Sequence, residues 1–400
     1  MQEHKDNWGD YVDIPLKQHI GKPSIPIVQL GTKVLKGQRI ANIDGLGANI
    51  HSSVYGVVSS IGDTIRIMLD KDQPDTFVKI QDTKTHLEAI EEAGVVGAGG
   101  AGFPAHIKLN INLDGGSFIV NAAECEPGLI HNVSMLEQNA ELIVRSLYIC
   151  MEITNAARGY IAIKSKNKKA ISALALASSS YKNIELKYLP DSYPSGDERF
   201  IIRDVLGKEL APGELPSVYG VVVSNAETMK RIIEAIELRK PVITKDLTLN
   251  GRIVGLNSAR AFLEAPIGTP IGKFIEECGG YLEPYGEIVL GGAFTGVRGS
   301  SEATLTKTLG GVFVSMPFPN DVRRFGVLGC ECGAQAPRLS QIVEGMGGSV
   351  VAEGHCKRME SDPSGRLRCT RPGQCPGQAE KIIELKKKGA EAIIVGTCED

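Results

Sequence analysis

Hydrophobic and polar positions fall into four successive regimes along the 400-residue chain. Residues 12–69 carry short β-branched runs broken by turn residues, with Gly31, Gly37, Gly56 and Gly62 between them. This spacing predicts small β-hairpins. From about 88 to 235, apolar strands alternate with segments of helical period. "SFIVNAA" and "GYIAIK" read as strands, and "SMLEQNAELIVRSLYICMEIT" and "NKKAISALALASSS" as helices. Such alternation predicts an α/β layer around a largely parallel sheet. Between roughly 240 and 298, "VITKDLTLNG" and "EIVLGGA" flank a helix opened by "TPIGKFIEECGG". The last regime returns to strand and helix: "RFGVLGC", "APRLSQIVEGMG", "SVVAEG", "PGQAEKIIELKKKG" and "AEAIIVGTC". Domains are therefore expected at 1–85, 86–238, 239–318 and 319–400.

Composition narrows the class. Hydrophobic residues make up 42% and charged residues 23%, ordinary for a soluble globular protein. A net charge of −3 without a dense basic run argues against nucleic acid as a partner. No apolar run is long enough to span a membrane. The opening "MQEHKDNWGDYVDIP" has no apolar core of a secretory signal, so the reading is a cytoplasmic protein. The 46 glycines point to turns and close backbone approaches.

Two stretches carry candidate chemistry. In "VVGAGGAGFPAHIKL" (95–109), Gly97, Gly99, Gly100 and Gly102 follow an apolar run and precede a segment able to open a helix. A glycine-rich strand-to-helix turn lets backbone N–H groups approach a phosphate with no Cβ in the way, and Lys108 adds a point charge. "NAAECEPG" (121–128) ends the strand "SFIV", where open α/β sheets bind ligands. Glu124 and Glu126 flank Cys125 there; the plainer reading, carboxylates solvated before the turn at Pro127-Gly128, stays open.

The ordered motifs "GAGGAGFP…K", "NAAECEPG", "YPSGDE" (193–198) and "VVVSNAET" (221–228) resemble the flavin subunit of respiratory complex I, and more closely the RnfC component of the Rnf electron-transport complex. The resemblance covers residues 12–315. It implies an N-terminal barrel-sandwich domain of lipoyl type, a complex I flavin-subunit-like α/β domain, a β-grasp module like the SLBB fold, and then a small α/β cysteine-rich domain. Gly47 in "DGLGA" stands where a lipoyl domain carries its lysine, so no swinging arm is expected. The resemblance further implies FMN and NADH. The glycine turn would lie against flavin and nucleotide, and Lys108, Asn121, Asn225 and Thr228 would hold the FMN. Phe103 would stack on adenine, Glu124, Glu126 and Glu198 would line the dinucleotide site, and Tyr193 and Gly196 would shape its wall. Ala98 and Ala123 replace an arginine and an aspartate of complex I, following the Rnf-like variant.

Six of nine cysteines crowd into residues 330–398: Cys330, Cys332, Cys356, Cys369, Cys375 and Cys398. The repeated ferredoxin-type runs of RnfC are missing. Three readings stand side by side: buried structural cysteines, an iron–sulfur or zinc site built from these six, and a thiol–disulfide relay using Cys330, Cys332 and Cys398. The helix start at Ala336-Pro337 is expected to lower the Cys332 thiol. This tail resembles the proline reductase-associated electron-transfer (PrdC) family, which includes selenoproteins. That resemblance implies D-proline reductase as electron acceptor. It also suggests a selenocysteine after Cys398-Glu399-Asp400, encoded by a codon read as stop. An Rnf-type subunit docked on a membrane complex, or a non-enzymatic scaffold with a degenerate flavin fold, are the alternatives.

Overall fold

The computed structural model describes residues 8–100, 102–362, 365–372, 375 and 377–396. Its first unit is a sandwich of two small sheets. β1 (Tyr11–Pro15), β7 (Thr64–Leu69), β6 (Gly56–Ile61) and β3 (Lys33–Val34) form one, in that order. β2 (Ile25–Pro26), β4 (Arg39–Asn42) and β5 (Ile50–His51) form the other. Strict alternation sends Val12, Ile14, Ile65 and Ile67 inward to a dry core. At Gly56 a Cβ would lie 2.1 Å from the Met68 carbonyl oxygen, so only glycine fits. A Cβ at Gly47 would sit 2.7 Å from the His19 ring, which shows a tip packed inward. The unit hands over to α1 (His86–Glu92), opened by a capping box in which Glu88 N–H donates to Thr85 Oγ1 at 3.1 Å and Thr85 N–H to Glu88. Such a cap contributes about 1 kcal/mol.

After α2 (Ala105–Leu109) comes a four-stranded sheet, parallel throughout, ordered β10-β9-β8-β11. Its strands are β8 (Ser117–Asn121), β9 (Arg158–Lys164), β10 (Ile184–Leu189) and β11 (Val221–Asn225). Phe118, Ile119 and Val120 are all fully buried, as expected of a strand covered on both faces. α3 (His131–Thr154), α4 (Lys168–Ser178) and α6 (Ala226–Ile233) pack into the core on one face, and α5 (Glu198–Leu206) covers the other. The chain runs from β8 through β9 to β10, then returns to the far side of β8 as β11. That reversal creates a crevice at the carboxyl ends of β8 and β11, where Asn121 and Asn225 are register partners.

A mixed sheet follows, ordered β13-β12-β16-β14-β15. It comprises β12 (Thr244–Gly251), β13 (Arg260–Pro266), β14 (Ile288–Leu290), β15 (Val297–Gly299) and β16 (Gly311–Val314), and packs on α7 (Ile271–Glu277). Trp8, Phe262 and Phe274 meet edge-on or tilted in its core. The last unit is a parallel sheet, β18-β17-β21, from β17 (Arg324–Gly329), β18 (Ser349–His355) and β21 (Ala392–Val395). α8 (Ala336–Met346) and α9 (Ala379–Lys387) flank it, and a β19–β20 ribbon (Met359–Ser361, Leu367–Cys369) lies after β18.

Lys307 joins three of these units. Its Nζ donates to the carbonyls of Asn49 and Gly94, each at 2.7 Å, and among the described residues no carboxylate pairs with it. Burial pushes its ammonium down to about 7. Between that value and the ordinary lysine range the unfolded chain holds a proton that the folded chain has released. Stability is therefore full above the ordinary range and falls as pH drops toward 7. Lys307→Met should flatten this dependence: thermal unfolding from pH 7 to 10 will show a shallower rise in Tm than wild type. An identical slope would exclude Lys307 as its source.

Candidate functional site

At the switch point the glycine-rich turn closes on itself. Gly97 N–H donates to Phe103 O at 2.9 Å, and Gly102 N–H to Gly97 O at 3.2 Å. Ala98 N–H donates to Thr228 Oγ1 at 2.9 Å, fastening the turn to α6, and Asn225 caps that helix by accepting from Glu227 N–H. On the β8 side, Asn121 Oδ1 accepts from Ala123 N–H and its Nδ2 donates to Gly196 O at 2.9 Å. A Cβ at Gly196 would stand 2.7 Å from Cys125 Cβ; the two loops touch because residue 196 has no side chain. Burial pushes the Cys125 thiol up to about 11, so it stays protonated at neutral pH.

These loops enclose a cleft of about 460 Å³ lined by Gly97, Gly99, Gly100, Lys108, Asn121, Glu124, Glu126, Gly196, Glu198 and Asn225. Phe103 and Thr228 line a small side pocket with Lys108. Tyr193 faces a neighbouring cavity of about 510 Å³, shared with Glu124 and Glu126. Gly102 departs from expectation. Its Cβ position meets His19 and Thr308 at 3.1 Å and its carbonyl accepts from Ile20 N–H, so it docks the turn on the barrel sandwich instead of lining the cleft. At Gly100 a Cβ would meet nothing within 4 Å, and at Gly97 and Gly99 only ordinary contacts. Internal packing thus leaves this edge bare toward open space.

The three carboxylates have separate tasks. Glu124 accepts from Asn132 N–H at 3.1 Å, in the first turn of α3, beside His131, whose imidazole burial pushes down to about 4. Glu198 pairs with Lys108 at 3.2 Å. Glu126 accepts from Phe294 N–H at 2.9 Å and from Thr295 Oγ1, holding the β14–β15 turn against the cleft.

The Nuo51 FMN-binding domain profile matches residues 90–234, and the RnfC barrel sandwich hybrid domain profile matches residues 5–83. The RnfC component of the proton-translocating ferredoxin:NAD(+) oxidoreductase complex of Clostridium ljungdahlii is 36% identical over 312 residues, 73% of this chain and 67% of that one. Its Na(+)-translocating counterpart in Acetobacterium woodii is 32% identical over 308 residues, covering 72% and 69%. The chain belongs to the RnfC family. Cobalamin reductase PduS of Citrobacter freundii is 39% identical over 237 residues, 59% of this chain and 51% of that one.

In this RnfC-like chain the far wall of the cleft comes from a module the motifs did not touch. Gly291, Gly292, Gly310 and Gly311 line it with Thr295 and Thr308. A Cβ at Gly292 would lie 2.1 Å from Glu126 Cδ, and one at Gly311 would lie 2.5 Å from Gly291 O. A signal was present: Leu290–Phe294 reads LGGAF and Leu309–Phe313 reads LGGVF.

The cysteine-rich tail is partly brought together. Cys330 directly follows β17, Cys369 lies in β20, and the thiol of Cys332 hydrogen-bonds both. The thiol of Cys330 is held below its usual range through its hydrogen bond with Cys332. Gln378 Nε2 bridges Cys356 Sγ at 2.9 Å and Cys375 Sγ at 3.8 Å. Among the described residues no group of three His, Cys, Asp or Glu side chains forms a metal site. Cys398 and the selenocysteine reading lie outside the described residues.

Two glycines separate packing from ligand space. Gly196→Ala should cost about 1–3 kcal/mol in urea unfolding by overpacking against Cys125, whereas Gly99→Ala should unfold like wild type. Equal losses at both positions would contradict the assignment of open space to Gly99.

Proposed function

We propose that this RnfC-like chain is an electron-transfer flavoprotein that takes hydride from NADH at an FMN held in the switch-point cleft. The observation that carries it is the bare edge of Gly97, Gly99 and Gly100, backed by Lys108 and two register-paired asparagines. The residues fit the group: glycine amides and one ammonium suit a phosphate, and Asn121 and Asn225 offer amides to a polyol and a ring. Bound FMN supplies a hydride acceptor and an outlet for electrons. The protein's share is to orient and to exclude water. Lys108 neutralises phosphate charge on release from Glu198, Thr228 fixes the turn, Glu124 stiffens the loop after β8, and Phe103 offers a ring face for adenine. Glu126 holds the far wall closed over the dinucleotide.

On this reading the domains run 1–85, 86–238, 239–318 and 319–400, the third an SLBB-like β-grasp. For the onward acceptor, the tail's resemblance favours D-proline reductase in the cytoplasm. A second reading, a peripheral component of an Rnf-type membrane complex, draws support from the two RnfC relatives. Among the described residues no helix is long and apolar enough to cross a membrane.

Anaerobically purified protein should be yellow and should bleach on adding NADH. Reoxidation by D-proline reductase, but not by ferredoxin, would favour the first acceptor, and the reverse the second. A colourless protein that refuses added FMN would make it a scaffold. Gly99→Val, whose β-carbon is comfortable but whose methyls enter the cleft, should fold and lose most of its flavin. Normal flavin content would move the site elsewhere. Glu126→Ala should raise the NADH concentration for half-maximal bleaching about tenfold, about 1.4 kcal/mol, with flavin content unchanged. An unaltered NADH dependence would remove Glu126 from the dinucleotide site.

A further inference from the structure

The tail does not merely follow the flavin-type domain; it is fastened to the cleft's rim through its cysteines. Tyr193 Oη donates to the carbonyl of Cys332, while its ring meets Phe294 edge-on at 4.7 Å. Arg199, in the first turn of α5, donates to the carbonyl of Cys369 at 2.8 Å and to Glu331 at 3.1 Å. Glu331 in turn accepts from Cys369 N–H. These contacts draw the 331–332 loop and β20 together, and the thiols of Cys332 and Cys369 end in a hydrogen bond. Tyr193 also lines the cavity that contains Glu124 and Glu126. Two thiols far apart in sequence are thus adjacent, on the side of the tail that faces the cleft.

We propose that Cys332 and Cys369 are a dithiol/disulfide couple that receives electrons at the rim of the cleft. Cys330 is the weaker candidate partner. A single residue, Glu331, separates it from Cys332 and its N–H is tied to Ala334 O, so a bridge between those two would have to bend the backbone. Cys332 is half-buried and Cys369 buried, so an external partner reaches the couple through Cys332. Oxidation breaks two S–H bonds, forms one S–S bond and releases two electrons and two protons. In reduction, the nicotinamide hydride supplies both electrons and one proton, and solvent supplies the other. The inference rests on the proposed function for the source of electrons only.

The full chain is equilibrated in graded dithiothreitol redox buffers, alkylated, and mapped by mass spectrometry. The expected result is one cross-linked peptide pair, Cys332 with Cys369, that persists in Cys330→Ser and disappears in Cys369→Ser. Adding NADH to oxidised, flavin-loaded protein should then raise the thiol count by two. A Cys330–Cys332 bridge, no bridge at any potential, or stoichiometric zinc or iron held by these thiols would overturn the proposal. Flavin that bleaches while the bridge persists would also overturn it. If NADH fails to bleach the flavin, the function proposed above fails, and the buffer titration still decides the couple.

Discussion

The site depends on a buried set of charges behind it. Glu227, Glu234, Asp246 and Glu264 face Lys230, Arg231, Lys240 and Lys245 between α6 and the β12–β13 pair. Burial alone would raise the Glu264 carboxyl, yet Arg231, Lys240 and Lys230 outweigh it and hold it well below the usual range. Desolvating so many ions is expensive, and the gain depends on geometry more than on net attraction. Three of the bonds involve main chain: Glu227 accepts from Asp246 N–H, Asp246 from Glu264 N–H, and Lys245 Nζ donates to the Asp246 carbonyl. The network therefore fixes register as well as distance. Because Asn225 caps α6, clamping that helix to β12 sets where the mixed sheet stands across the cleft from the glycine turn.

The cleft is consequently a property of assembled modules. One edge belongs to the parallel sheet, the other to the turns flanking β14 and β16, and Gly102 and Lys307 tie both to the barrel sandwich. No single module encloses it. Relative placement is set by contacts that tolerate little change: glycines whose missing Cβ atoms admit another backbone, and carbonyls shared by one ammonium.

Legibility in the sequence follows the range of the interactions. The parallel sheet was readable because Phe118–Val120 and Val221–Val223 are apolar runs that declare themselves locally. The glycine turn and the asparagines were readable as motifs. The partner of Glu126 lies 168 residues away, and no local pattern announces it. Lys307 within "TKT" gives no hint of burial, and by periodicity the charged face of α6 belongs in water. The lowered Cys330 thiol has the same origin: its contact with Cys332 depends on how the loop after β17 turns, which no local pattern announces.

The way the tail is held has an evolutionary corollary. Tyr193 and Arg199 grip the carbonyl oxygens of residues 332 and 369, atoms that every amino acid carries. A socket that recognises main chain specifies the path of the inserted segment and leaves its side-chain chemistry unspecified. The same receptacle can hold any segment that follows this main-chain path, with the side chains at positions 332 and 369 free to differ.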